Sequence, residues 1–148
     1  MGRSSQELPE STVNKLLASL FQRKEFLVLR EMRLHPCELD IVVFDPISLK
    51  LANVEIKRRD WKSLLHQAIR AKLYCHFSIA AMPSNMRANV PVEEFSRRGI
   101  GVVFYTYENR AIHLDPACTA EPSDAINRGF KRQIYQRFYS AFLEEVYA

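Results

Sequence analysis

Glu38-Leu39-Asp40-Ile41-Val42-Val43-Phe44, a break at Asp45-Pro46, and then Leu51-Ala52-Asn53-Val54-Glu55-Ile56-Lys57 decide how this chain folds. Both stretches are rich in β-branched and large apolar residues, and the break between them carries turn chemistry. The simplest hairpin has a loop from Pro46 to Leu49, with Asp45 opposite Lys50. Antiparallel partners keep a constant sum of residue numbers, so Asp40 is expected opposite Glu55 and Glu38 opposite Lys57. All four side chains then share one face of the sheet, and Val54 and Ile56 point to the other.

An ordinary solvated hairpin face would account for Glu38 against Lys57, which makes a good ion pair. It accounts poorly for Asp40 against Glu55. Like charges directly opposite are destabilising, by roughly 3 kcal/mol at ~5 Å and an effective dielectric of ~20. A bound cation would remove that cost. Carboxylates are hard ligands suited to Mg²⁺, which takes one or two of them and fills its other positions with water and phosphate oxygens. Lys57 could orient or deprotonate an attacking water, or stabilise charge developing on a phosphate. From the residues alone, a solvated face and a cation site both stay open.

Outward from the hairpin, Val13, Leu16, Leu17, Leu20 and Phe21 have helical spacing after a Ser11 cap, which predicts a first helix ending near Glu25. Residues 26–34 read as a strand. Trp61, Leu64, Leu65, Ala68 and Cys75 form one apolar stripe of a helix over 61–75, with Gln67 opposite Trp61 and alongside Ser63, Arg70 and Tyr74. Strands near 77–82 and 100–107 follow, joined by a short helix around Val92 to Arg98 that Gly99 caps. A last strand is expected at 111–114. A terminal helix over 124–146 places Ile126, Phe130, Ile134, Phe138 and Ala141 on one face, to dock on the core or on a second subunit. Strands mixed with crossover helices imply an α/β layered fold with a central mixed sheet.

In this context the Asp40 and Glu55-Ile56-Lys57 pattern resembles the PD-(D/E)XK nucleases, whose signature is an Asp at the start of one strand and Glu-x-Lys on its neighbour. The helix bearing Gln67, the run from Tyr74 to Pro83 and the Arg97-Arg98-Gly99 turn before a buried strand are also similar to that family. The resemblance covers roughly residues 10–115. Leu39 stands where the family name records a Pro. The resemblance implies a restriction-endonuclease-like αβββαβ core with an extra C-terminal helix, and a Mg²⁺-dependent nuclease, with Mn²⁺ able to substitute. Asp40, Glu55 and the Ile56 backbone carbonyl would hold the metal, with Glu10 or Glu31 as a further acid. Lys57 would activate water and Gln67 would orient Lys57, the water or a phosphate. Without the resemblance, Gln67 reads as a solvated helix residue, Glu31 as an ion-pair partner of Arg30 or Arg33, and Glu10 as a residue at the positive end of its helix.

The chain has 148 residues, 47% of them hydrophobic, enough for one domain over residues 1–148 with its own core. Residues 1–8 are expected as a flexible tail. Three cysteines without a CxxC suit reduced thiols and an intracellular, cytoplasmic protein. No apolar run has the length of a membrane span or a signal core, so neither a membrane nor a secretory role is expected. From residue 46 onward there are 15 basic and 10 acidic residues, while residues 1–45 are nearly balanced. Arg58, Arg59, Lys62 and, on the helix, Arg70 form the footprint expected beside a nucleic-acid backbone, DNA above all. Arg128, Lys131, Arg132 and Arg137 interleave with Tyr135 and Tyr139 and read first as a solvated helix face. The expected activity is a DNA endonuclease of repair, recombination or junction processing, acting as a homodimer when both strands are cut. The alternative is a non-catalytic nucleic-acid-binding or assembly subunit that retains the fold.

Overall fold

The hairpin forms in the expected register. The computed structural model describes residues 8–34 and 37–147, the last five of these as backbone only. Strand β1 (Leu27–Leu34) pairs antiparallel with β2 (Cys37–Phe44), and β2 pairs antiparallel with β3 (Leu51–Ile56) from Ile41↔Val54 to Phe44↔Leu51. The turn closes where predicted: the Asp45 N–H donates to the Lys50 carbonyl at 3.0 Å, and the Asp45 carboxylate accepts from the Ile47 N–H at 2.9 Å.

Helix α1 (Glu10–Arg23) precedes this meander, and helix α2 (Trp61–Ala71) crosses from β3 to its parallel neighbour β4 (Phe77–Pro83). A 3-10 segment (Ser84–Asn89) and helix α3 (Val92–Arg97) lead to β5 (Gly101–Glu108), parallel to β4, and β6 (Ala111–Cys118) folds back antiparallel. Helix α4 (Arg128–Tyr147) ends the described chain. The result is an α/β fold with a six-stranded mixed sheet in the order β1-β2-β3-β4-β5-β6. α1 covers one face through Val13 and Leu17 against Ile41, Val43, Val54 and Ile56. The other face is covered by α2 and α3, which bury Leu64, Ala68 and Phe95, and by α4, which buries Ile134 and Phe138.

Several expected boundaries move, each for a local reason. Pro9, not Ser11, precedes α1; its carbonyl accepts from the Thr12 and Val13 N–H groups, and its ring fixes the φ this position needs. Leu8, expected in the tail, is buried against α1, while residues 1–7 of that expected tail lie outside the described residues. α2 stops at Ala71 instead of Cys75, because Tyr74 and Cys75 turn into the core, with Tyr74 stacked on Phe130 at 4.7 Å between centroids. β6 extends to Cys118 across a register shift at Val102/Val103. α4 starts four residues later than Asp124, where the Asn127 carboxamide accepts from the Phe130 N–H at 3.0 Å as an N-cap. Gly99 caps α3 as expected, at φ +73°.

Regular alternation fails at one level of β1 and β2. On β2, Cys37 and Leu39 pack with the α2/α4 face, but so does Val42, while Ile41 and Val43 pack under α1. On β1, Met32 and Leu34 pack with the α2/α4 face, and so does Leu29. The alternation therefore slips by one residue at the same level of both strands. Glu31 takes φ +52° there, and the pair Glu31 and Asp40 drops out of an otherwise continuous ladder between Arg30↔Ile41 and Met32↔Leu39. A left-handed residue in the middle of a strand swivels the chain beyond it. Glu38 consequently does not share a face with Glu55 or Lys57, which corrects the four-charge face inferred from regular alternation. Its ion pair is with Arg33, its cross-strand partner on β1, at 4.0 Å.

An L-residue in the left-handed region costs about 1–2 kcal/mol, and a β-branched one fits worst there. Glu31→Gly is therefore expected to leave stability unchanged or raise it by about 1 kcal/mol, and Glu31→Val to lower it by at least ~1 kcal/mol, in urea unfolding. Equal losses in both variants would contradict the strained swivel.

Candidate functional site

The swivel leaves a gap in the β2–β3 ladder just beyond Ile41↔Val54, and two carboxylates fill it. The Asp40 N–H donates to Glu55 Oε2 at 3.0 Å, and the Ile56 N–H donates to Asp40 Oδ2 at 2.8 Å. Side chains thus take over bonds that backbone carbonyls would otherwise accept, and each acid is held by the strand that carries the other. Asn14 on α1 secures the same level: its amide donates to the Asp40 carbonyl at 3.0 Å, and its oxygen accepts from the Arg30 guanidinium.

Glu55 is only 1% exposed, which rules out a solvated hairpin face for this residue. Oε2 is engaged, but Oε1 is buried without a hydrogen-bond partner among the described residues. Such an atom costs about 1–3 kcal/mol, and more if charged. Burial first, then the neighbouring Asp40 charge, push the Glu55 carboxyl well above the usual carboxylate range. Asp40 is also raised, chiefly by burial; the Ile56 N–H and Lys57 pull it back, and Glu10 pushes it further up. Each carboxyl group thus bears on the titration of the other. Asn53, fully buried two residues before Glu55, lies beside it and favours its charged form, yet its own amide atoms lack partners of good geometry. A divalent cation fits this arrangement: it would take up the orphaned Oε1, remove the carboxylate repulsion and draw on oxygen donors alone.

Lys57 follows β3, half-buried, with its N–H on the Ala81 carbonyl and its charge felt by Asp40. Ile56 lines a cavity of ≈ 180 Å³ with Asp40, Glu10 and Glu31, so both candidate supporting acids reach the same space. Glu10 is the better held of the two, since its Oε1 accepts from the Arg58 N–H at 3.1 Å. Glu31 pairs with Arg30 at 3.7 Å and is more than half exposed. Gln67 is half-buried on α2, one turn from Arg70, and among the described residues it makes no hydrogen bond to Asp40, Glu55 or Lys57. Arg59 is exposed, Lys62 lies 5.7 Å from the centre of the Trp61 ring, and Arg70 partly offsets the rise that burial and then Glu55 impose on the Cys37 thiol. Among the described residues, no group of three or more His, Cys, Asp or Glu side chains converges as a preformed metal cage.

Asn14, Asn53 and Tyr105 are additions that the sequence pattern does not single out. Tyr105 is fully buried on β5, its hydroxyl lacks a partner among the described residues, and burial and then Glu10 raise its pKa to about 12. The signals present in the sequence are polar residues inside apolar patterns: Asn14 beside Val13 and Leu17, and Asn53 between Ala52 and Val54.

No family model matches the chain, and no curated protein matches it. Among solved structures, it is similar to the SPO1766 protein of unknown function from Silicibacter pomeroyi, with a TM-score of 0.66 and 11% identity over 95% of this chain and 90% of that one. That likeness establishes a shared α/β fold. No helix among the described residues is long and apolar enough to cross a membrane.

A carboxyl raised by folding stabilises the protein below its unfolded pKa of about 4.3, and that contribution disappears as pH rises through the raised folded value. In EDTA, the melting temperature is therefore expected to fall as pH increases above about 4.3. Glu55→Gln, which keeps an acceptor for the Asp40 N–H, should flatten that fall and melt higher than wild type at pH 8. A Glu55→Gln protein with the same pH profile as wild type would contradict the assignment.

Proposed function

We propose that this chain is a metal-dependent nuclease with a restriction-endonuclease-like fold, hydrolysing phosphodiester bonds in DNA. The observation that carries this reading is the interlocked pair of half-buried Asp40 and buried Glu55, with Glu55 Oε1 unpartnered among the described residues and the Lys57 charge felt by Asp40. Two interlocked acids in a gap of the sheet cost stability in the metal-free protein, and a cation-dependent activity gives that cost a purpose. The order of elements, α1-β1-β2-β3-α2-β4, also agrees with the core that the sequence pattern suggests.

Asp40 and Glu55 would hold Mg²⁺ or Mn²⁺, with the Ile56 carbonyl and Glu10 completing the protein's share. A cation held there supplies Lewis-acid stabilisation of charge on the phosphate oxygens. Lys57 orients the attacking water and donates to the phosphate as negative charge builds. Glu10, fixed by the Arg58 N–H, tethers the start of α1 to the end of β3 and keeps the cavity open beside Asp40. Gln67 acts from α2 on Lys57, the water or a phosphate. Arg58, Arg59, Lys62 and Arg70 attract the nucleic acid, and two chains would be needed to cut both strands of a duplex or junction.

With supercoiled plasmid and Mg²⁺, wild type is expected to nick or linearise the DNA and to stop in EDTA. Lys57→Ala should lose roughly 100-fold or more in rate while melting like wild type. Cleavage that persists in EDTA, or full activity in Lys57→Ala, would overturn the assignment. DNA binding that survives EDTA with no cleavage in either metal would instead assign the chain to a binding or assembly role.

A further inference from the structure

Beyond the carboxylate pair, the molecule has a second concave surface that touches it. The cavity at Asp40 ends on Glu31, and Glu31 is also a wall of a larger cleft of ≈ 480 Å³ between β1 and α4. That cleft is lined by Arg30, Arg33 and Arg137, together with Ser140 and Ala141. β1 is the outer strand of the sheet, so the cleft runs along an edge that no other described strand covers. Three guanidinium groups line it against one carboxylate, and with Glu38 beside Arg33 its wall remains net positive.

The three arginines differ in what they can do. Arg30 is committed, with Nε on Asn14 and Nη2 near Glu31, and serves the swivel. Arg33 is 88% exposed in its side chain and meets Glu38 only at 4.0 Å. Arg137 reaches across from α4 and donates to the Arg33 carbonyl at 3.3 Å, which holds its stem over the strand edge. Two donors with planar forks therefore stand at the cleft, suited to bidentate contact with phosphate. At ~3.4 Å per residue, Arg33 lies about 7 Å along β1 from Glu31. A duplex strand places one phosphate per ~3.4 Å of axis while winding around it, so a displacement of this size keeps the two arginines within about two phosphates of the Asp40 cavity.

We infer that the β1–α4 cleft is a phosphate-backbone track, in which Arg33 and Arg137 grip the nucleic acid beside the bond held at Asp40 and Glu55. The inference rests on the nuclease reading for the nature of the ligand, but not for its own measurement. It places the substrate's second anchor on the opposite side of the site from Arg58, Arg59 and Lys62, so that the chain being cut is held on both sides. It also separates Arg137 from Arg128 and Arg132, which sit on the same helix without lining the cleft.

The test is fluorescence anisotropy of a labelled DNA duplex in EDTA over a range of salt concentrations. It compares wild type, Arg33→Ala/Arg137→Ala, and the equal-charge control Arg128→Ala/Arg132→Ala. The cleft variant is expected to bind roughly tenfold more weakly, with a salt slope shallower by about 1.8 for two lost phosphate contacts, while the control changes much less. Arg33→Gln/Arg137→Gln, which keeps side-chain bulk, gives the same reading if the alanine variant fails to fold. Equal affinity and slope in the cleft variant and wild type would overturn the inference, as would an equal loss in the control. A change only in sedimentation, from dimer to monomer, would assign the cleft to a second copy and likewise overturn it. If the cleft variant binds like wild type while wild type cleaves plasmid in Mg²⁺, the track alone falls. A wild type that binds no DNA overturns the track, and if it also cleaves none, the nuclease reading falls with it.

Discussion

Two backbone N–H groups of the central hairpin are satisfied by carboxylates instead of carbonyls, and much of the structure is arranged around that substitution. The Asp40 N–H on Glu55 and the Ile56 N–H on Asp40 lock β2 to β3 where their ladder would otherwise open. Each acid is positioned by main chain rather than by flexible partners, which is a rigid way to present oxygen atoms. The remaining oxygen of Glu55 is buried and unpartnered among the described residues. Sheet continuity and the placement of the carboxylate pair thus come from the same bonds.

That arrangement depends on the surroundings at three points. The positive φ of Glu31 swivels β1 as β2 slips beside it, turning Glu38 from the face of Glu55 and Lys57 to the wall of the cavity that Asp40 lines. Asn14 ties the Asp40 carbonyl to α1, and Glu10 ties the start of that helix to the residue after Lys57. On the opposite face, α2, α4 and the inward turn of Tyr74 and Cys75 keep water from Glu55. Burial is what raises the Glu55 pKa first, and burial is also what would strengthen its hold on a cation.

The hairpin register was legible because Asp45-Pro46 fixes the turn and arithmetic carries the pairing back to Asp40. The opposition of Asp40 and Glu55 followed directly. The facing of Glu38 did not follow, since it requires a left-handed residue, and Glu31 belongs to a type with no marked preference for that conformation. The swivel is imposed by pairing between strands and by packing under α1, which local sequence does not record. Helix ends followed a similar division. Gly99 was readable from its backbone freedom, while the stop of α2 at Ala71 depends on Tyr74 finding Phe130 far along the chain. The start of α4 had a visible cap in Asn127, masked by the apolar spacing that continues through Ile126. Gln67 was placed on the right helix, but its link to the pair is not made by a hydrogen bond among the described residues.

Asp40 and Glu55 are proposed to form a divalent-cation site. Titration of metal-free protein with Mn²⁺, followed by the electron paramagnetic resonance signal of free Mn²⁺, tests it without any substrate. Wild type is predicted to take up Mn²⁺ stoichiometrically, in competition with Mg²⁺, and Asp40→Asn to lose that uptake while keeping its fold. Uptake undiminished in Asp40→Asn, or none in wild type at millimolar metal, would contradict the account.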